Sequence, residues 1–250
     1  MTEEAELDYL YSFAIRAWKP APLGRLFRHC LDRAIDFPAT GVVRVEDIQK
    51  AAKTAIGTHV EVGLRNLIGL PHGAKLDLLF PNGVEADIKW STGQNGKPGN
   101  SFMIPTETFG HFAFLATAWD TPGASFFSLG LISIDPDGEN LSAPNKDKKR
   151  GIPKRTLDKA RWLYQRNPMP ANIFLSQPEA DLQRVFDAQA GLPRMLMALK
   201  TFGAISAEQM LLFDVPEPSH RIPELVELLA EEQYRLEVDS DFVWRCLPND

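Results

Sequence analysis

The stretch KLDLLFPNGVEADIKWS, Lys75 to Ser91, holds two runs in which charged and apolar residues alternate, joined by Pro81-Asn82-Gly83. Alternation with a period of two is the signature of a strand, and a Pro-Asn-Gly connection is turn chemistry, so the stretch predicts a β-hairpin. Residues two apart on a strand share a face. Glu85, Asp87 and Lys89 therefore project together, Val84, Ala86 and Ile88 face the other way, and the turn brings Asp77 back alongside the charged set. Two converging carboxylates with room for water suit a hard cation such as magnesium, and a lysine beside them can orient an attacking water or stabilise charge on a phosphate. The same charges also fit a half-exposed strand whose lysine pairs across the hairpin, so the pattern D-(x)n-D-x-K leaves both readings open.

Outward from the hairpin, helical spacing runs from Glu3 to Trp18 and stops at KPAPLG; PLGRLFRHCLDRAIDF follows as a second amphipathic helix. A helix over Thr54 to Leu67 precedes the hairpin. Strands are predicted in GHFAFLATAW and ASFFSLGLISI, a helix near Thr156 to Gln165, and a further strand in ANIFLS. Helices flanking a mixed sheet, an α/β (α+β) class, accommodate this order. After Ala190, LPRMLMALKTFG, SAEQMLLF and SHRIPELVELLAEE read as three helices, and YRLEV and FVWRCL as a hairpin joined at Asp239-Ser240. That is the order of a small winged helix. The expected division is a catalytic domain over 1–190 and a winged-helix-like segment over 191–250.

The formal net charge of -6 is unevenly placed: residues 1–190 hold 22 basic and 22 acidic side chains, and residues 191–250 hold 5 and 11. The sum therefore says little against a nucleic-acid partner of the first part. Within it, NKDKKRGIPKR carries six basic residues and one acidic one, a composition that suits either phosphate contact or a solvated loop. Cys30 and Cys246 make no multi-bridge framework and lack partners at zinc-ligand spacing, and no apolar run resembles a signal peptide or membrane span. A cytoplasmic protein without a membrane partner is expected.

KTAIGTHVEVGLRNLIGL, with Glu61 on the preceding helix, and GNSFMIPTETFGHFAFLATAWD after the D-x-K strand together resemble the catalytic domain of NaeI-type type II restriction endonucleases, members of the PD-(D/E)xK superfamily. The resemblance covers about Lys53 to Asp120, recurs at Asn145 to Arg150 and returns weakly in NIFLSQP. It implies a PD-(D/E)xK mixed sheet and magnesium-dependent hydrolysis of double-stranded DNA to 5'-phosphate and 3'-hydroxyl ends. On that resemblance Glu61, Asp77, Asp87 and Lys89 are the catalytic set. Asp77, Asp87 and the Ile88 carbonyl hold metal, with Glu61 bound directly or through water, and Lys89 positions the nucleophile. Glu85 has no counterpart in the family motif and is read as a supporting or solvent-facing residue. The match of NKDKKR favours DNA contact by Lys146, Lys148, Lys149 and Arg150, and the position of Ser91 implies substrate contact. The loop STGQNGKPGN reaches the groove through Gln94, Asn95 or Lys97, or is an inert excursion. His220 and Arg221 stand early on the helix that a winged helix would offer to DNA, although Glu224, Glu227, Glu231 and Glu232 make it acidic. A homodimer suits cleavage of both strands of a palindrome. The alternatives are a modification-dependent or nicking nuclease, or a catalytically silent DNA-binding protein, of the same fold.

Overall fold

The computed structural model of the protein describes residues 2–206, 209, 211–213, 222–231, 233–238 and 243–249. His220, Arg221, Glu232, Asp239 and Ser240, named above, lie outside them. The chain divides into two units, one of residues 1–30 and 49–171 and the other of 31–48 and 172–250. The boundary expected at residue 190 falls inside the second unit.

The first unit is built on a five-stranded sheet: β1 (Leu78–Leu79), β2 (Glu85–Trp90), β4 (Phe112–Thr121), β5 (Ala124–Ser133) and β7 (Arg161–Met169), in the order β1-β2-β4-β5-β7. The β2–β4 pair is parallel and the others are antiparallel, so the sheet is mixed, as expected. Nearly all of β4 is buried, as a central strand covered on both faces must be. On one face Phe114 packs edge-on against Trp18, and Phe127 packs against Phe27. These partners belong to the region of α1 (Glu3–Ala17) and to α2 (Pro20–Ile35). The indole of Trp18 donates to the Leu64 carbonyl of α4 (Lys50–Leu67) at 3.0 Å, tying the third helix to the same layer. On the opposite face Ala113, Leu115 and Ile132 join Phe102, Ile104 and Ile152. That layer holds the ribbon of β3 (Met103–Ile104) with β6 (Arg150–Gly151) and the single turn α5 (Lys154–Leu157).

Local chemistry explains the elements. Thr2 caps α1 by accepting from the Ala5 amide, and Glu3, Glu4 and Glu6 occupy its positive first turn. The hairpin turn closes as its sequence predicts, with the Gly83 amide donating to Phe80 O at 2.9 Å and the Phe80 amide donating to Val84 O at 2.9 Å. Two expectations fail. The helix expected near Thr156 to Gln165 is the short α5 followed by β7, because Trp162, Tyr164 and their neighbours pair with β5 and leave a sheet edge that a helix would not fill. ANIFLS is no strand: its Ile173–Ser176 segment is a 3-10 turn, capped by the Asn172 side chain accepting from the Phe174 amide at 3.0 Å. Asn and Ser bonding to nearby backbone compete with a ladder.

The second unit contains α3 (Phe37–Thr40), α6 (Glu179–Asp187) and α7 (Leu192–Phe202), with Phe37 stacked on Phe174 at 4.5 Å. It continues through β8 (Ala204–Ser206), α8 (Ile222–Glu231), β9 (Tyr234–Val238) and β10 (Val243–Pro248). The strands form an antiparallel sheet in the order β8-β10-β9. The short β8 was not expected from the sequence.

Candidate active site

Asp77 precedes β1, and the register Leu78 to Ala86 and Leu79 to Glu85 carries it opposite Asp87. Its Oδ2 accepts from the Ile88 amide at 2.7 Å, the same amide that Asp87 Oδ1 accepts from at 3.0 Å, so the two carboxylates meet at one N–H. Burial first, and then the hydrogen bond and charge of Asp87, push Asp77 up to about 7, against the opposing pull of the Ile88 amide and Lys89. Asp87 is 3% exposed. Its Oδ1 accepts from Lys89 Nζ at 2.6 Å and from the Ile88 amide at 3.0 Å, while its Oδ2 accepts from the Thr108 hydroxyl. Thr108, fully buried, fixes the carboxylate from the side opposite Lys89. The sequence reading did not single it out; only its place in the family-like PTETFGHF marked it.

Glu61 stands on α4, where Arg65 donates toward its Oε1 at 3.4 Å and toward the Asp77 carbonyl at 3.4 Å. Ligand atoms of Glu61, His72 and Asp77 all lie within 4.8 Å of one another. The structure thus brings Asp77 and Asp87 together at the Ile88 amide, bonds Asp87 to Lys89, and sets Glu61 beside Asp77. His72 is an addition that sequence reasoning missed. The carboxylate oxygens of Glu61, Asp77 and Asp87 are the donor set that a divalent cation takes, so the residues fit such an ion.

Glu85 has a role that the hairpin pattern alone left open. Its carboxylate accepts from the amides of Ala74, Lys75 and Leu76, each at 2.9 Å. These bonds from Lys75, Leu76 and Ala74, together with the nearby His111, hold its carboxyl below the usual 4.5. The loop that leads into Asp77 is therefore clipped to the strand that carries Asp87. A depressed acid stabilises the fold above its unfolded pKa and stops doing so as pH falls through its folded pKa. Glu85→Gln is expected to melt below wild type at neutral pH and to converge with it as pH drops below 4.5. A constant gap in melting temperature across that range would show that the clip does not depend on the carboxylate charge.

The cluster opens into a cleft of about 620 Å³ whose lining includes Lys50, Lys53, Glu61, Lys89, Gln94 and Lys149. Lys50 and Lys53 come from the first turns of α4 and were not chosen from the sequence, since no basic run announces them. Asn145 organises the basic loop: its Oδ1 accepts from the amides of Asp147 at 2.9 Å and Lys149 at 3.0 Å. Lys146, Lys148 and Lys149 are exposed there, and of the four loop candidates Lys149 lines the cleft. Arg150 lies over the Phe109 ring at 5.4 Å and donates to Gly138 O at 3.0 Å, so its guanidinium braces its own loop. Ser91 lines the cleft, and its hydroxyl accepts from the Ser101 amide at 3.0 Å. Beyond it, Gln94 and Lys97 pair around an Asn95-Gly96 turn whose φ angles of 52° and 71° are those of a tight hairpin. Gly93 and Gly99 flank that hairpin where no side chain fits. A Cβ on Gly99 would stand 2.4 Å from the Ser91 carbonyl oxygen, and one on Gly93 would stand 2.4 Å from Trp119 Cβ.

A mixed sheet whose inner strand presents D-x-K beside a hairpin aspartate and a helix glutamate is the arrangement expected from the resemblance to PD-(D/E)xK nucleases. A family model described as restriction endonuclease NaeI matches residues 18–201, and the chain belongs to that family. It is 26% identical over 166 residues to the type II restriction enzyme NaeI of Lentzea aerocolonigenes, a match covering 66% of this chain and 49% of that protein. The matched region spans about half of the relative's length.

Proposed function

We propose that the protein is a type II restriction endonuclease that hydrolyses phosphodiester bonds of double-stranded DNA at a specific site, with magnesium, leaving 5'-phosphate and 3'-hydroxyl ends. The observation that carries this reading is that Asp77 and Asp87 meet at the Ile88 amide and Asp87 bonds Lys89, which lines a cleft together with Glu61 and lysines from separate segments. Asp77, Asp87 and the Ile88 carbonyl would hold the ion, with Glu61 bound directly or through water. When bound, the ion supplies Lewis-acid stabilisation of charge on the phosphate and acidifies a water. Lys89, oriented by Asp87, directs its ammonium to the attacking water and to the charge that develops on the scissile phosphate. Thr108 and Glu85 hold the two aspartates in register. Lys149, Lys50 and Lys53 neutralise backbone phosphates, with Lys146, Lys148, Arg150 and Ser91 as flanking contacts.

The reading extends to a homodimer, since two copies of the site related by two-fold symmetry match the symmetry of a palindrome. It also takes 1–190 as the catalytic domain and 191–250 as a winged-helix-like appendage, on the strength of the α7-β8 and α8-β9-β10 order with β10 central in its sheet. A cytoplasmic location accords with DNA as substrate. Among the described residues no helix is long and apolar enough to cross a membrane.

The test is digestion of unmethylated and methylated plasmid DNA with and without magnesium, followed by sequencing of the ends. Discrete, magnesium-dependent cuts with 5'-phosphates are expected. Well-folded protein that leaves both DNAs intact would instead favour a silent DNA-binding role.

A further inference from the structure

The loop that Glu85 clips to the sheet carries a side chain that the proposed chemistry does not yet use. His72 is exposed, yet a ring nitrogen lies within 4.8 Å of carboxylate oxygens of both Glu61 and Asp77. Its Nδ1 is 2.6 Å from the Gly73 carbonyl oxygen. In that contact Nδ1 carries the proton and donates, which leaves the lone pair on Nε2. An imidazole with one nitrogen donating to a backbone carbonyl is the arrangement that fixes the ring and tautomer of metal-binding histidines. The backbone behind it is held as well: the Glu85 carboxylate takes three successive amides just after His72, and the Leu79 amide donates to Pro71 O at 3.0 Å just before it.

We infer that His72 is a ligand of the cation bound by Glu61 and Asp77, and that this raises the site's affinity for imidazole-accepting divalent transition ions, cobalt(II) in class, while leaving its use of magnesium to the carboxylates. The inference rests on the proposed cation site and adds a donor to it. Carboxylate and water oxygens suit magnesium, whereas an imidazole raises affinity along the transition series and adds little for magnesium. Arg65, close to both Glu61 and the Asp77 carbonyl, is the positive charge that the entering ion must outcompete.

The experiment is calorimetric titration of cobalt(II) and of magnesium into wild type, His72→Ala and Asp77→Asn, without DNA, together with the visible spectrum of the cobalt form. His72→Ala is expected to bind cobalt about tenfold more weakly or worse, the scale of losing a group that sets metal affinity. Its magnesium affinity should change little, its cobalt spectrum should shift, and Asp77→Asn should lose both ions. Equal cobalt affinity in wild type and His72→Ala, with Asp77→Asn still deficient, would overturn the role of His72 and leave the carboxylate site standing. Absence of saturable binding by any ion to wild type would overturn both this inference and the cation site beneath it. Thermal melting without metal guards the comparison, and His72→Gln replaces the alanine variant if the latter fails to fold.

Discussion

Asp87→Ala is expected to lose cleavage by on the order of 10³-fold or more, the scale of removing a preorganised group from a site of developing charge, while DNA binding stays within a few-fold of wild type. Asp87 joins every part of the centre. It bonds Lys89 and Thr108, and with Asp77 it accepts from the Ile88 amide. Its removal takes away a proposed ion ligand and the acceptor that orients the lysine in one step. The cleft lysines that meet phosphate are untouched, and loss of a negative charge does not oppose a polyanion. Because Asp87 is buried, Asp87→Asn is the companion variant that keeps the volume. Cleavage is scored on plasmid and binding by titration without magnesium. Undiminished magnesium-dependent cutting by either variant would remove this centre from consideration.

The second large effect is expected from the cleft walls. Replacing Lys50, Lys53 and Lys149 together with alanine should weaken DNA binding uniformly across sequences and lower the slope of log affinity against log salt by about three, one for each phosphate that is no longer neutralised. The three lysines come from the start of α4 and from the basic loop, yet they line one cleft with Lys89. Affinity measured over a salt series gives the slope directly. Lys146→Ala with Lys148→Ala, flanking contacts on the same loop but outside the cleft lining, is the comparison and should lower the slope less. An unchanged slope in the triple variant, or an equal decrease in the double one, would move the DNA path away from this cleft.

Much of the centre was legible because it is local. The alternation in VEADIKW, the Pro-Asn-Gly turn and the single-residue spacing between Asp87 and Lys89 are consequences of strand geometry, and resemblance then added Glu61 from the helix before. What escaped were partners brought in by the fold. Thr108 looks like any buried threonine until its hydroxyl meets Asp87. Lys50 and Lys53 are ordinary residues of an amphipathic helix until its first turns border the cleft. His72 sits in a stretch without periodicity, so no pattern could tell where its ring would lie. The failure at β7 has the opposite cause: a polar, aromatic run of nine residues satisfies a helical period well enough, and tertiary pairing with β5 decided the outcome.

The two glycines at the roots of the Gln94–Lys97 hairpin separate what is free to vary from what is fixed. A side chain at Gly93 or Gly99 would collide with backbone or with a buried neighbour next to the D-x-K strand, whereas Gln94 and Lys97 are exposed. Drift in the tip therefore leaves the chemistry untouched, and drift at the roots is removed along with the fold. On the proposed function, single substitutions at Gln94 or Lys97 would change contacts to DNA while leaving the D-x-K centre in place, so that choice of target and ability to cut are set by separate parts of one short segment.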